Sequence, residues 1–409
     1  MTAHRALAAT TFAVSLLFGA SAVAQQAAQP TNNAPLKIGV IADFASVYAD
    51  IGGQGNVEAA KIAIEEFGGK MFDKPIELIT ADPLNKADAA ATIARRWYEA
   101  EGVDMIIDLP TSATALAAME MSKQFEKIMI VTDAASSDIT GKSCSPYTAH
   151  WTYDTYGNAQ TVGSAIVKQG GDSWYFITAD YLFGHSLERD TGDVIRKAGG
   201  KIVGSSKHPL NTADFSSFLL QAQSSKAKIV GMANGGGDTI NTIKQASEFG
   251  IVAGGQKLAG LLVFISDVHA LGLQAAQGLV LTESFYWDRD DQTRAWSQRF
   301  AKLNGGKMPT MVQAGVYAGL LHYLKAVEAT KSKDTATLMA KMKEMPTDDP
   351  LFGKGSIRPN GRKMHDMYLY EVKKPSESKG PWDYYKQISV LPAEQAFQPL
   401  AETGCSLVK

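Results

Sequence analysis

The 409-residue sequence has little cysteine, little histidine and no excess of charge of either sign. Its two cysteines form no CxxC pair and its seven histidines are not clustered, so no metal site is predicted. Forty basic residues against 42 acidic ones give a net charge of −2, which lacks the basic field that nucleic-acid binding requires. Beyond residue 24, no run is long and apolar enough to span a bilayer.

The N-terminal residues 1–24 have the pattern of a secretory signal peptide. Arg5 precedes a mostly apolar stretch, residues 6–20, and small residues at 22–24 suit a signal peptidase. We therefore expect cleavage before Gln25 and a periplasmic location, with a retained N-terminal anchor as the alternative. Loss of Arg5 leaves 39 basic residues against 42 acidic ones, a net charge of −3.

The order of apolar runs predicts an α/β fold with two domains. The roughly 385 residues after the signal peptide are more than a domain with one hydrophobic core usually contains. Short apolar runs at 36–41, 104–108 and 128–132 alternate with amphipathic helices, and the alternation begins again with runs at 174–178 and 228–232. Continuous apolar strands between helices are typical of buried parallel sheets. We predict two doubly wound lobes of similar size.

Several catalytic and cofactor-binding motifs are present only in part. Residues 53–58 lack the third glycine of a dinucleotide fingerprint, and residues 184–188 lack the last glycine of a nucleophile elbow. The end of a phosphate-binding loop at 141–143 has no first glycine. We therefore predict a binding protein with no cofactor and no catalysis. The alternative is an exported hydrolase that uses Ser186 and His185.

Hydroxyl and small residues follow two strands of the first lobe, where parallel sheets bind ligands. Thr111 and Ser112 can cap the next helix and leave its first amides free for a carboxylate, although ordinary helix capping explains them equally well. Ala134 and Ser136 follow the next strand. Asp133, beside them, would repel an anion; it can instead cap a helix or accept a hydrogen bond from a ligand hydroxyl.

Aromatic residues lie in other strand-end loops. Tyr48 follows the first strand, Tyr181 and Phe183 follow a strand of the second lobe, and Asn234 begins a glycine-rich turn. Glycine lets a bulky ligand approach the backbone. These residues predict a pocket for an aromatic or otherwise apolar acid, unless the rings belong to the core.

The sequence resembles the leucine/isoleucine/valine-binding proteins, the periplasmic receptors of branched-chain-type ABC importers. The resemblance lies in residues 36–41, 48–53, 111–112 and 134–136 and in Gly184, in this order and spacing. It implies a type I periplasmic binding fold, a small-molecule ligand, and permease subunits in the inner membrane as partners. A receptor that docks on a permease is expected to be a monomer.

The resemblance also implies three crossovers between the lobes, near residues 150–153, 282–284 and 346–350. These crossovers give an N-terminal lobe of 36–150 plus 284–345 and a C-terminal lobe of 151–283 plus 346–372. The end of the chain is rich in proline, lysine and aromatic residues and is expected to form a wrapping tail, 373–409. Cys144 and Cys405 are expected to form a disulfide that ties this tail to the first lobe, because an exported chain with two cysteines usually pairs them; two free thiols are the alternative.

By the same resemblance, the carboxylate contacts of the family fall on Thr111, Ser112 and Ser136, and a backbone carbonyl contact to the ligand ammonium falls on Ala134. The acid that holds this ammonium in amino-acid receptors is replaced by Leu261. An unpaired ammonium in a closed cleft costs about 2–5 kcal/mol, so the ligand is expected to lack one.

Two alternatives stay open. In the first, the ligand is an amino acid or amide, and Asp133, Asp180 or Asp267 supplies the acid. In the second, the chain is a sensory ligand-binding module, although such modules are usually fused to a membrane helix.

Overall fold

The computed structural model describes residues 1–2 and 34–408. The predicted signal cleavage site lies outside the described residues. Residues 34–408 belong to one compact unit. Within the described part of the chain, no helix combines the length and apolar character that crossing a membrane requires.

A first sheet has five parallel strands in the order β4-β1-β5-β6-β7. Every residue of β5 and β6 is buried, as continuous apolar runs predict for strands covered on both faces. Strands β2 and β3 form a separate hairpin. The elements of this part are β1 (Lys37–Ile41), α1 (Gly53–Glu66), β2 (Lys70–Met71), β3 (Lys74–Pro75), β4 (Glu77–Ala81), α2 (Ala87–Glu99), β5 (Met105–Asp108), α3 (Ser112–Phe125), β6 (Ile128–Val131) and β7 (Thr148–His150).

A second sheet has four parallel strands in the order β11-β10-β8-β9. A π-helical segment, Ala159–Gly163, joins its first two helices. The two sheets confirm the predicted doubly wound fold class. The elements are α4 (Thr155–Asn158), α5 (Ser164–Lys168), β8 (Ser173–Ala179), α6 (Leu182–Lys197), β9 (Lys201–His208), α7 (Ser216–Ser224), β10 (Ile229–Ala233), α8 (Gly237–Glu248), β11 (Lys257–Gly260) and α9 (Ile265–Leu271).

The last third of the chain joins both sheets. Helix α12 packs against α1 and β5 of the first sheet, whereas β16 pairs antiparallel with β12 and β17. The chain thus leaves the first sheet after β7, returns after β12 and leaves again after α13, which gives three crossovers. The elements are α10 (Leu273–Ala276), β12 (Val280–Glu283), α11 (Asp291–Leu303), α12 (Met311–Thr330), α13 (Thr335–Glu344), β13 (Thr347–Asp349), β14 (Gly353–Ile357), β15 (Lys363–Met364), β16 (Met367–Val372), β17 (Tyr385–Leu391) and α14 (Ala393–Ala396).

The C-terminal tail contains a strand that the sequence analysis does not predict. Strand β17 pairs along β16, yet five consecutive residues, 386–390, are exposed. Strands are identified in a sequence by the alternation of apolar and polar residues. An edge strand that is exposed on both faces lacks this alternation. Beyond this strand, Cys405 is bridged to Cys144, with 5.6 Å between the Cα atoms, so the expected disulfide is confirmed.

Lys363 lies fully buried where β15 meets the first crossover. Its Nζ lies 4.4 Å from the ring centroid of Phe352 and 5.7 Å from that of Trp151, and it donates to no hydrogen-bond acceptor among the described residues. Burial lowers the pKa of Lys363 to about 7. A lysine in this position loses its proton far more readily in the folded protein than in the unfolded chain.

We expect Lys363→Met to be more stable than the wild type at pH 7, with a gain that shrinks as the pH rises towards 10. The unfolded chain keeps the lysine proton up to about pH 10.4, whereas the folded protein releases it near pH 7. The wild type therefore gains about 1.4 kcal/mol of stability per pH unit over this window, and the methionine variant does not. Urea unfolding at pH 7, 8, 9 and 10 measures the difference.

The exposed Lys354 on β14 supplies the matched control. Lys354→Met should differ from the wild type by the same small free energy at every pH. A gain for Lys363→Met that is constant from pH 7 to pH 10 would show that Lys363 keeps its proton in the folded protein.

Candidate functional site

A small cavity lies between the carboxyl ends of the first sheet and loops that follow β8 and β11 of the second sheet. It encloses about 20 Å³, little more than one water molecule needs. A ligand therefore enters only if the two walls move apart. The cavity is lined by Tyr48, Ile51, Pro110, Thr111, Ser112, Asp133, Ala134, Ala135, Tyr153, Tyr181, Phe183, Leu262 and Phe264.

Six of the eight predicted ligand contacts line this cavity: Tyr48, Thr111, Ser112, Ala134, Tyr181 and Phe183. Ser136 and Asn234 do not. Six further lining residues are not predicted from the sequence: Ile51, Pro110, Ala135, Tyr153, Leu262 and Phe264. Leu262 and Tyr153 come from a strand end and a crossover, so a systematic reading of every such segment would have included both.

A strained turn positions the first wall. Asp108 and Leu109 at the end of β5 have φ angles of 92° and 79°, in the region that residues other than glycine rarely adopt. Pro110 follows, and Thr111 then caps α3: its Oγ1 accepts a hydrogen bond from the Thr114 amide at 3.2 Å. The turn directs the start of α3 at the cavity.

The N-terminus of α3 offers hydrogen-bond donors to an anion. Ser112 is its first residue and is buried, and the amides of Ser112 and Ala113 donate to no acceptor among the described residues. The positive end of the helix dipole adds to the attraction for a negative group. The Ser112 hydroxyl oxygen itself accepts a hydrogen bond from the Ser136 amide at 3.0 Å.

Ser136 and Ala134 have partners within the protein. The Ser136 hydroxyl lies 2.8 Å from the hydroxyl of Ser186 on α6, and so joins the loop after β6 to the second sheet. The Ala134 carbonyl accepts a hydrogen bond from His150 Nε2 at 2.8 Å. Burial keeps the pKa of His150 well below its usual value, which leaves the ring neutral. The resemblance assigns the Ala134 carbonyl to a ligand ammonium, but one lone pair of this oxygen already accepts the hydrogen bond from His150.

Two tyrosines meet across the cavity. The hydroxyls of Tyr48 and Tyr181 are 2.5 Å apart, and Phe183 lies beside Tyr181 with 5.8 Å between the ring centroids. Burial raises the pKa of both tyrosines, so both keep their protons. This hydrogen bond holds the two walls together and has to break before a ligand can occupy the space.

The wall from the second sheet is apolar. Leu262 and Phe264 follow β11 and line the cavity, and Leu261 is buried behind them. The ring of Phe264 packs edge-on against Tyr153, with 5.9 Å between the centroids. No acid comes from this segment: Asp267 accepts a hydrogen bond from the Phe264 amide at 3.0 Å and so caps α9.

The other acids proposed for an ammonium are placed differently. Asp180 is exposed and pairs with His185 at 2.9 Å, away from the cavity. Asp133 lines the cavity and is the only acid in that lining among the described residues. An amino-acid ligand would thus depend on Asp133 alone.

Asn234 has a structural role. Its side-chain oxygen accepts a hydrogen bond from Thr239 at 2.7 Å, and its amide nitrogen donates to Thr242 at 3.1 Å and lies 3.1 Å from His208 Nε2. These bonds order the turn before α8. Gly237, three residues further on, matters more for the cavity, because its amide donates to the Val47 carbonyl at 3.1 Å and joins the two sheets.

A larger, open groove of about 800 Å³ lies elsewhere on the second sheet. It is lined by Lys228, which precedes β10, by Lys257 on β11 and by Val280 on β12. These are the amino ends of the strands. Ligands of parallel α/β sheets bind at the carboxyl ends, so the smaller cavity is the better candidate.

Comparison with known proteins shows the family to which the chain belongs. The model of the periplasmic binding protein family matches residues 35–380. A curated relative, Leu/Ile/Val-binding protein homolog 6 of Brucella melitensis, is 27% identical over 351 residues, which cover 84% of this chain and 88% of the relative.

Solved structures share the whole fold. A periplasmic binding protein of Burkholderia mallei is 53% identical, with a TM-score of 0.90 over 92% of this chain and 99% of that one. A branched chain amino acid ABC transporter periplasmic ligand-binding protein of Burkholderia xenovorans is 41% identical, with a TM-score of 0.82 over 91% and 100%. A Rhodopseudomonas palustris solute binding protein in complex with 4-hydroxybenzoate is 24% identical, with a TM-score of 0.80 over 88% and 98%, and shows the fold alone. The chain belongs to the periplasmic binding protein family.

Proposed function

We propose that this protein is the ligand-binding receptor of an ABC importer and that it captures a small carboxylate without an α-ammonium. The observation that carries the proposal is the pairing of the α3 N-terminus with an apolar wall. Free amides of Ser112 and Ala113 suit a carboxylate, and Leu262 and Phe264 suit an apolar body, aromatic acids included. The fold accommodates such a ligand in the Rhodopseudomonas palustris protein.

Two lobes would close on the ligand. We assign residues 36–150 plus 284–345 to one lobe and residues 151–283 plus 346–372 to the other. The packing of α12 on α1 and the pairing of β12 with β16 support these bounds. The Tyr48–Tyr181 hydrogen bond then joins the lobes, and hinge closure creates the surface that a permease recognises.

The receptor would act in the periplasm as a monomer, without catalysis, and would release its ligand to permease subunits in the inner membrane. Edman sequencing of the exported protein tests the location: a mature N-terminus at Gln25 is the expected result. An uncleaved N-terminus would support a retained anchor.

We expect acids to stabilise the mature protein and their amino counterparts to leave it unchanged. Cinnamate and phenylalanine share a carbon skeleton, as do 4-methyl-2-oxopentanoate and leucine, so each pair compares an acid without an α-ammonium with an amino acid of similar size. A ligand at a hundred times its Kd adds about 2.7 kcal/mol of stability. Thermal unfolding of residues 25–409 with each compound measures the shift.

The second candidate is a receptor for an amino acid, and one observation favours it: the carboxyl of Asp133 lines the cavity. In that case leucine or phenylalanine gives the largest shift. Such a result would contradict the proposal that the ligand lacks an ammonium, and Asp133 would then be its counter-ion.

A further inference from the structure

The carboxyl group of Asp133 faces the cavity without a full set of partners. The residue is 6% exposed and lines the cavity directly after β6. The Tyr153 hydroxyl donates a hydrogen bond to the backbone carbonyl of Asp133 at 2.6 Å and lies 3.4 Å from Oδ1. Since the hydroxyl has one proton, the Asp133 carboxyl accepts at most a weak hydrogen bond from it. Oδ2 accepts no hydrogen bond from any described residue. One oxygen is thus free for a ligand.

The surroundings of Asp133 disfavour its charge. The buried acids Asp43 and Asp108 lie nearby at the ends of β1 and β5. Amides of the loop after β1 hydrogen-bond to Asp43, and Thr132 and Asn56 donate to Asp108. Burial nevertheless raises the pKa of Asp108 to about 7, against the lowering effect of its two hydrogen bonds, whereas the Asp133 side chain has only the weak contact with Tyr153. Burial, and then repulsion by Asp108 and Asp43, raise the pKa of Asp133 well above its usual range.

Among the described residues, no lysine or arginine forms an ion pair with Asp43, Asp108 or Asp133. Arg362, which donates a hydrogen bond to the Tyr153 carbonyl at 3.1 Å, lies 3.6 Å from Asp154 instead. The remaining ionisable groups around the cavity are hydroxyls that stay protonated, a neutral imidazole and two further acids: Tyr48, Tyr153, Tyr181, His150, Asp238 and Glu283. Neither lysine nor arginine lines the cavity among the described residues. An ionised Asp133 beside a bound carboxylate would place two unpaired negative charges in one enclosed space, which is strongly unfavourable.

We propose that Asp133 is a specificity residue that is protonated in the ligand-bound cavity and donates this proton in a hydrogen bond to an oxygen of the anionic ligand. Each anion is then bound together with one proton. This inference rests on the proposed function, because it takes the ligand to be a carboxylate. It also explains how an acid can line a cavity for anions: the neutral carboxyl supplies a donor and removes the repulsion. An ammonium ligand would require the opposite, an ionised Asp133.

Proton uptake on binding tests the inference without any substitution. Cinnamate and 4-methyl-2-oxopentanoate are titrated into residues 25–409 by calorimetry at pH 6 to 9, in buffers of different ionisation heat. At pH values where Asp133 is ionised in the free receptor, we expect the protein to take up close to one proton for each ligand bound. The Kd should then rise by up to about tenfold for each unit that the pH is raised.

Asp133→Asn supplies the second measurement. Its amide is close to the carboxylic acid in shape and also donates a hydrogen bond, so this variant should bind the acid with no proton uptake and a Kd independent of pH. Asp180→Asn is the matched control, because Asp180 is an exposed strand-end acid outside the cavity. It should keep the wild-type pH dependence.

Three results would overturn the inference, and they differ in what they say of the function. Acid binding without proton uptake, together with tighter binding by Asp133→Asn than by the wild type, shows an ionised Asp133 beside the ligand, which rejects its role as a donor and leaves the proposed function intact. Binding of leucine or phenylalanine that Asp133→Asn abolishes makes Asp133 an ammonium contact, and rejects both the inference and the ligand class. No binding of either acid rejects the proposed ligand class, and the inference with it.

Discussion

Leu262→Glu is expected to weaken the binding of an anionic ligand by at least about 100-fold. Leu262 is nearly buried and faces the cavity from the segment after β11. A glutamate there would add a charge to a space whose lining contains no cation. Uncompensated buried charges cost about 3–5 kcal/mol, and 2.7 kcal/mol already corresponds to a factor of 100 in Kd.

Calorimetry at pH 8 with the acid that stabilises the wild type measures this loss. Leu262→Met is the matched control, because a swap of similar volume usually costs less than about 1.5 kcal/mol and adds no charge. Urea unfolding of both variants separates loss of binding from loss of folding. If Leu262→Glu binds the acid with wild-type affinity, the ligand does not contact this wall, and the candidate site is wrong.

The turns after β5 and β6 were predictable because parallel strands bring their carboxyl ends to one edge of a sheet. Apolar runs fix where such strands end, and Thr111, Ser112 and Ala134 follow from that position alone. Tyr48 and Tyr181 were placed by the same reasoning. That their hydroxyls meet could not be predicted, since the contact depends on how the two sheets face each other.

Side-chain direction is the part that the sequence did not reveal. Ser136 lies at the expected turn, yet its hydroxyl pairs with Ser186 on α6. Asn234 lies at a strand end as predicted, but its amide is used by threonines of α8. Both polar groups are buried and have to be satisfied within the protein, and their partners are set by tertiary packing that no local pattern specifies.

The wall formed by Leu262 and Phe264 shows the limit of alignment by resemblance. The resemblance placed the missing acid at Leu261, whereas the side chain that faces the cavity is that of Leu262. A shift of one residue reverses which side chain is exposed in an extended segment. This segment lacks an acid in either alignment, because neither leucine is acidic and the next acid, Asp267, caps a helix.

Cys405→Ser is expected to lower the free energy of unfolding by about 2–4 kcal/mol, the range typical for loss of a native disulfide. The bridge joins residues 261 positions apart, so it restricts a long loop in the unfolded chain. It also holds a tail whose Phe397 ring lies 4.5 Å from the guanidinium carbon of Arg362. Urea unfolding of variant and wild type at equal pH measures the difference.

The double variant Cys144→Ser/Cys405→Ser is the matched control for this experiment, because it lacks the unpaired thiol that the single variant leaves. It should lose the same stability, and wild type under reducing conditions should match it. Ligand affinity should stay unchanged, because neither cysteine lines the cavity. Equal stability of the double variant and the oxidised wild type would show that the tail packs without the bridge. A loss of affinity would instead couple the tail to closure of the cavity, through the crossovers on which Arg362 and Phe397 pack.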